Sequence, residues 1–286
     1  MKKRFHIKML WAASFSLYAL DANAWGLYTH IYFSQHLLLC VPPLLDDRIR
    51  QAMQQFPRLV LAGACLPDLA VISKSFSASH QWHISERMLE NAESEQELAI
   101  AIGYASHLFV DVIAHNHFVP AHEAKWLNRT IVTHVVSEWA MDGHISRHIA
   151  HPPHKLINMH LEELTKFTTK AFSVKATDAR KQLCRLSKLD RLLRFSRISH
   201  SLLWLIKLRD MELIKNLGYY LNKTEHALSH FHFTLNGQRP HWEPELSNLS
   251  ATELSIWRTQ CLGDLRIRVS TPIDHYFSRS PARELV

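Results

Sequence analysis

Residues Ala105 to Pro120 read ASHLFVDVIAHNHFVP, and this stretch decides how the rest of the chain is read. Its apolar residues fit a buried helix, yet His107 and Asp111 sit among them, four apart and therefore on one helical face. Charge inside an apolar helix is costly unless it is paired or ligated. His115 lies four residues beyond Asp111, so helical geometry makes it a candidate partner. His117, six beyond Asp111, becomes a rival if the chain bends between Asn116 and Pro120. Downstream, His134 and Glu138 repeat the histidine–carboxylate pair at the same spacing. Sets of this kind suit zinc, which takes imidazole nitrogen and carboxylate oxygen.

Working outward, helical spacing dominates. Ile31 to Leu39 opens a helix ended by Pro42-Pro43, and Asp46 to Phe56 and Arg58 to Leu66 continue the pattern up to Pro67. Ser94 to Ala114 and Thr130 to Ile149 are long apolar helices, and His160 to Phe172 is another. Only 7 glycines in 286 residues argue against a turn-rich β architecture, so the fold class is all-α. Hydrophobic residues at 47% and charged residues at 21% suit a globular chain with a large core. Pro152-Pro153 is the clearest break, dividing a core at 25–150 from a helical C-terminal part at 151–286 expected to pack on it.

The first residues read as an export signal at 1–24. Lys2, Lys3, Arg4 and Lys8 form a basic region, Met9 to Leu20 is apolar but too short to span a bilayer, and Ala22-Asn23-Ala24 fits a cleavage site. Cleavage there makes Trp25 the mature N-terminal residue and sends the protein to a periplasm or the exterior. No later stretch reads as a transmembrane helix. Four cysteines, Cys40, Cys65, Cys184 and Cys261, permit up to two disulfides in such a compartment, while the surroundings of Cys40 and Cys65 also suit buried thiols. None has the C-x-x-C spacing of a cysteine zinc site.

The formal charge is +7, of which the signal holds four cations against Asp21, leaving about +4 on the mature chain. That modest excess suits anionic substrates or a membrane surface, and is not a nucleic-acid signature. Between Asp178 and Asn222 the chain is basic and amphipathic. Arg185, Lys188, Arg191, Arg194 and Arg197 alternate with Leu186, Leu189, Leu192, Phe195 and Ile198, which reads as one basic and one apolar helical stripe. Such a stripe is either a solvated face or an attraction to anionic lipid headgroups.

Three further segments complete the pattern: Trp25-Gly26-Leu27-Tyr28-Thr29-His30, Gly63-Ala64-Cys65-Leu66-Pro67-Asp68, and His80-Gln81-Trp82-His83. In this order, and with the H-x3-D-x5-H run, they resemble the zinc-dependent phospholipase C superfamily, which includes single-strand-specific zinc nucleases. The resemblance covers roughly Trp25 to Asp142. It implies an all-α, multi-helix domain with a three-zinc cluster. The α-amine and carbonyl of Trp25, with His30, would bind one ion. Asp68, His80 or His83, His107 and Asp111 would bind a second, with Asp111 bridging. His117, His134 and Glu138 would hold a third, since the family spacing selects His117 over His115. His80 is favoured over His83 because a histidine two residues before an aromatic recurs in the lipases. An α-amine ligates only when deprotonated, which its ordinary pKa of about 7.7–8.0 permits beside a dication.

The resemblance further implies phosphodiester hydrolysis by water activated at the zinc ions, with Asp68 as ligand, general base or both. No G-x-S-x-G nucleophile elbow and no phosphate-cradling glycine loop is present. The leading expectation is a phospholipase C that releases diacylglycerol and a phosphorylated headgroup, making peripheral contact with a membrane through Trp82, Trp126 and the basic-amphipathic region. A nuclease or nucleotidase on the same scaffold is the alternative, and a zinc-binding protein without turnover is a third. No stable nucleic-acid partner is expected.

Overall fold

The structure is a computed structural model that describes residues 26–126, 130–246, 249–272 and 274–277. The leader at 1–24 and Trp25 lie outside the described residues. Among these there is no strand: the chain is a succession of helices, as its composition and spacing require.

Helix α1 (Leu27–Leu39) is followed by α2 (Asp47–Gln55), α3 (Pro57–Gly63), the single turn α4 (Leu69–Ile72) and α5 (Trp82–Glu90). The central element is α6 (Glu95–Ile113). Ser94 caps it by accepting the Glu97 amide at 3.2 Å, and from Glu97 to Ile113 every residue is buried. It is surrounded by α1, α2, α3 and α5. Gly63 and Gly103 set its closest approach to α3, because a Cβ at either would collide with the other helix's backbone, at Ile100 or Val60. Asp68 and the Ala64 carbonyl follow directly from α3, so this contact delivers them beside His107.

After α6 the helix passes through a π turn (Ala114–Phe118) into α7 (Val119–Trp126), and α8 (Thr130–Ile145) returns alongside. Pro120 has no amide to bond the Asn116 carbonyl four residues back. That carbonyl is instead taken by Trp257 Nε1 at 2.6 Å. By length and hydropathy Glu95–Trp126 is long and apolar enough to cross a membrane, contrary to the sequence expectation, but its apolar window is entirely buried within the fold. Its hydropathy reflects a core helix.

The C-terminal part comprises α9 (Pro153–Met159), α10 (Leu161–Phe172), α11 (Ala176–Ser196), α12 (Ile198–Lys207), α13 (Leu213–Leu228), the turn α14 (His232–Leu235), α15 (Ala251–Ile267) and α16 (Asp274–Phe277). Ser250 and Glu253 form a capping box that starts α15. One hydrophobic cluster contains Leu27, Phe109 and Ile145 together with Leu164, Leu217, Phe231 and Leu265, so both halves of the chain share a core.

The expected basic and apolar stripes do not persist. Three residues advance a helix by about 300°, so a three-residue spacing slips about 60° at each step. The buried face of α11 therefore runs through Leu183, Leu186, Asp190 and Leu193, while Leu192 and Phe195 turn outward and Arg194 turns inward. The stretch also breaks at Arg197, whose φ of 53° separates α11 from α12. All four cysteines are free thiols: Cys65 and Cys261 are buried, whereas Cys40 is exposed rather than packed.

Candidate metal centre

Four elements aim side chains at one buried point. Asp111 of α6 is its hub. Oδ1 lies 3.3 Å from His30 Nε2 and 3.6 Å from His115 Nε2, and Oδ2 lies 3.1 Å from His107 Nε2 and 3.6 Å from His80 Nε2. Asp68 Oδ1 stands 3.9 Å from both His80 Nε2 and His107 Nε2. On α8, His134 Nε2 meets Glu138 Oε1 at 2.8 Å. Three ligand sets result: His30, His107 and Asp111; Asp68, His80 and His107; and His115, His134 and Glu138.

These residues fit zinc. Two ligands bonded at about 2.1 Å in tetrahedral array lie roughly 3.4 Å apart, close to the separations around Asp111. His30 Nε2, Asp68 Oδ1, His80 Nε2, His107 Nε2, both Asp111 oxygens, His115 Nε2, His134 Nε2 and Glu138 Oε1 are all buried without a hydrogen bond. Buried polar atoms normally find partners, and a shared cation would serve all of them. Behind this layer, His107 Nδ1 donates to the Ala64 carbonyl at 2.7 Å, which fixes its ring and leaves Nε2 for a metal. The His30 and His107 rings stack with centroids 3.4 Å apart.

The electrostatics agree. Burial pushes Asp68 up to about 7 and Glu138 well above the usual carboxylate range. Burial likewise lowers His80 to about 3 and His134 to about 4, and holds His30 well below its ordinary value, so these imidazoles stay neutral, the form that ligates. Asp111 resists burial because His107, itself raised by Asp111, holds it well below the usual range. Burial disfavours the ionised carboxylates of Asp68 and Glu138, and a cation shared within the cluster would offset that cost.

In the structure His115, and not the His117 that family spacing selects, lies with His134 and Glu138. The chain stays helical through Asn116 as a π turn, with His115 Nε2 3.6 Å from Asp111 Oδ1 and His117 turned to other rings. His117 packs among the rings of Trp242, Trp257 and Tyr276. Of the His80/His83 pair, His80 faces the cluster and His83 is exposed. Trp82 is buried, donating to the Trp242 carbonyl at 3.0 Å, and offers no aromatic to an interface. Trp126 is half-buried and donates to Asp210. Trp25 lies outside the described residues, and Gly26, next to it, leads into His30.

Two contributors from the C-terminal half were not foreseen. Glu245 brings Oε1 to 3.7 Å from His80 Nδ1, and Arg258 of α15 pairs with Glu123 at 2.7 Å. With His115 and His134 they line a cavity of about 250 Å³, and Val119, Leu246 and Leu254 belong to the same lining. Nothing local in the sequence marks Glu245, because its loop is carried to His80 by the packing of α15 on α7.

An all-helical fold with imidazoles and carboxylates converging on one buried point defines a metal-dependent protein. The family model described as zinc dependent phospholipase C matches residues 29–181, more than half of the chain, and the chain belongs to that family. Searches of curated proteins and of solved structures found no match. Zinc is thereby the supported metal, and phosphodiester hydrolysis the chemistry of the family.

Proposed function

We propose that this protein is an exported phospholipase C that holds three zinc ions and cleaves phospholipids to diacylglycerol and a phosphorylated headgroup. The observation that carries the substrate is the cavity beside the third ligand set, which His115 and His134 line together with aliphatic Val119, Leu246 and Leu254. A phosphodiester attached to an apolar tail suits such a boundary. Base stacking on a broad aromatic platform, the usual need of a single-strand nuclease, finds no Phe, Tyr or Trp among the cavity's described lining residues.

The first ion would be held by His30 and Asp111, with the α-amine and carbonyl of Trp25 once the leader is removed. Asp68, His80, His107 and Asp111 would hold the second, and His115, His134 and Glu138 the third. When bound, zinc supplies Lewis acidity toward the phosphoryl oxygens and makes water a nucleophile near neutral pH. Asp68 would accept the proton of the attacking water at Oδ2, the oxygen not directed at His80 and His107. The Ala64 carbonyl holds His107 in the tautomer that presents Nε2, and the aliphatic residues of the cavity would receive the apolar part of the substrate.

The test is incubation of processed protein with phosphatidylcholine vesicles and, separately, single-stranded DNA, each with zinc or a chelator. Zinc-dependent release of phosphocholine is expected. Nucleotide release alone would establish the nuclease, and neither product under any zinc condition would leave a binding protein.

A further inference from the structure

A second cavity, of about 280 Å³, opens where the end of α8 meets the α11–α12 corner. Tyr28, Ser146, Arg147, Arg194, Arg197 and His200 line it, and no carboxylate does so among the described residues. Arg194 is committed to Asp142 and Asp190, at 2.6 and 3.1 Å, and stacks on Tyr28 with 3.7 Å to the ring centre. Arg147 and Arg197 are exposed, and no ion pair is described for either. Ser146 Oγ and His200 Nε2 lie 3.0 Å apart at the rim. Burial and then the guanidiniums of Arg194, Arg147 and Arg197 push His200 below its ordinary value, which reports a local surplus of positive charge.

Apolar side chains stand out from the same corner. On α12 the inner positions Ile198 and Leu202 pack with Val135 and Trp139 of α8. Trp204 and Leu205 on its outer side are 60% and 50% exposed, Leu208 and Met211 beyond its end are 62% and 87% exposed, and Phe195 at the end of α11 is 88% exposed. Lys207 and Arg209, both exposed, interrupt this stripe. An isolated exposed leucine is ordinary, but this many large apolar side chains gathered at one corner and interspersed with cations match a surface that lies in a membrane interface. Basic charge beside the apolar stripe selects an anionic surface.

We infer that the α11–α12 corner docks the protein on an anionic phospholipid bilayer, Phe195, Trp204, Leu208 and Met211 entering the interface while Arg147 and Arg197 receive a lipid phosphate in the cavity. The corner sits close to the metal centre: Tyr28 lines the cavity, and His30, two residues on in α1, belongs to the ligand sets. The inference deepens the phospholipid reading and rests on it for its purpose, but docking is measured without turnover, so the two can fail separately.

The experiment is co-sedimentation with vesicles of phosphatidylcholine alone and of phosphatidylcholine mixed with phosphatidylglycerol, with inorganic phosphate as a soluble comparison. The wild-type chain is expected to prefer the anionic vesicles. The R147Q/R197Q variant should bind them roughly 30-fold more weakly, at about fivefold per arginine near an anionic surface. W204S/L208S should weaken binding to both vesicle types. Zinc content and hydrolysis of a monomeric short-chain lipid should stay at wild-type values in both variants, which shows that they fold. Equal binding to neutral and anionic vesicles, or undiminished binding by R147Q/R197Q, overturns the inference. So does a phosphate-induced shift of the His200 ring resonances without vesicle binding, which would mark a site for free anions. Concentration-dependent dimerisation lost in W204S/L208S, without vesicle binding, would assign the surface to a second copy of the chain.

Discussion

Arg194 of α11 closes a 2.6 Å ion pair on Asp142 of α8, and the other oxygen of Asp142 accepts the amide and hydroxyl of Thr29, at 3.0 and 2.8 Å. Asp142 thus serves the first turn of α1, where Gly26 has no side chain to cap it. Arg194 lies beyond the part of the chain that matches the family, yet it secures the turn that carries His30.

Removing one partner leaves the other charge buried. Arg194→Met and Asp142→Asn are each expected to destabilise the protein by roughly 3–5 kcal/mol. Denaturant unfolding measures this. A loss below about 1 kcal/mol, the range of an exposed pair, would refute the structural role.

His115 and His117 make opposite predictions. His115→Ala removes a ligand, so zinc per chain falls and hydrolysis drops by ~100-fold or more, beyond the effect of a typical outer-shell change. His117→Ala removes a ring packed among Trp242, Trp257 and Tyr276, so stability falls while zinc per chain is kept. Metal analysis of the two purified variants decides between them. The reverse pattern would restore the assignment drawn from family spacing.

Acid sensitivity is expected from His122, which burial lowers to about 4. Above its unfolded value near 6.5 the imidazole is neutral in both states and costs nothing. As pH falls below that value, the unfolded chain binds a proton that the folded one refuses, so stability declines until the folded group titrates near 4. The decline reaches roughly 3 kcal/mol over this window. His122→Asn should flatten that part of the pH–stability curve. Since metal release affects both proteins, the difference between their curves isolates His122, and parallel curves would exclude it.

The N-terminal amine offers a fourth test. A protein with one extra residue ahead of Trp25 is expected to bind less zinc and to lose activity, because a peptide nitrogen lacks the lone pair of a free amine. Unchanged metal stoichiometry would remove Trp25 from the ligands.

Much of the centre was legible because its ligands recur at helical intervals inside apolar helices. His107 with Asp111, and His134 with Glu138, are pairs that one helix alone brings together. Asp68 and His80 needed the order of motifs along the chain as well as local spacing. The choice of His115 over His117 was not available from residue counting, since both lie within reach of Asp111 until the helix path is known. Nor was Glu245, whose approach to His80 depends on α15 packing against α7 and Trp257 binding the carbonyl that Pro120 leaves free.

By itself, the sequence determined the all-helical class, the donor types and most of the positions that surround Asp111, because periodicity and the cost of buried charge act within single helices. Only the tertiary structure decided which histidine lies with His134 and Glu138, which face of α11 is buried, and which C-terminal side chains approach the cluster. Those outcomes depend on contacts between residues distant along the chain: a π turn stabilised by α15, and an arginine drawn inward by Asp142 and Asp190.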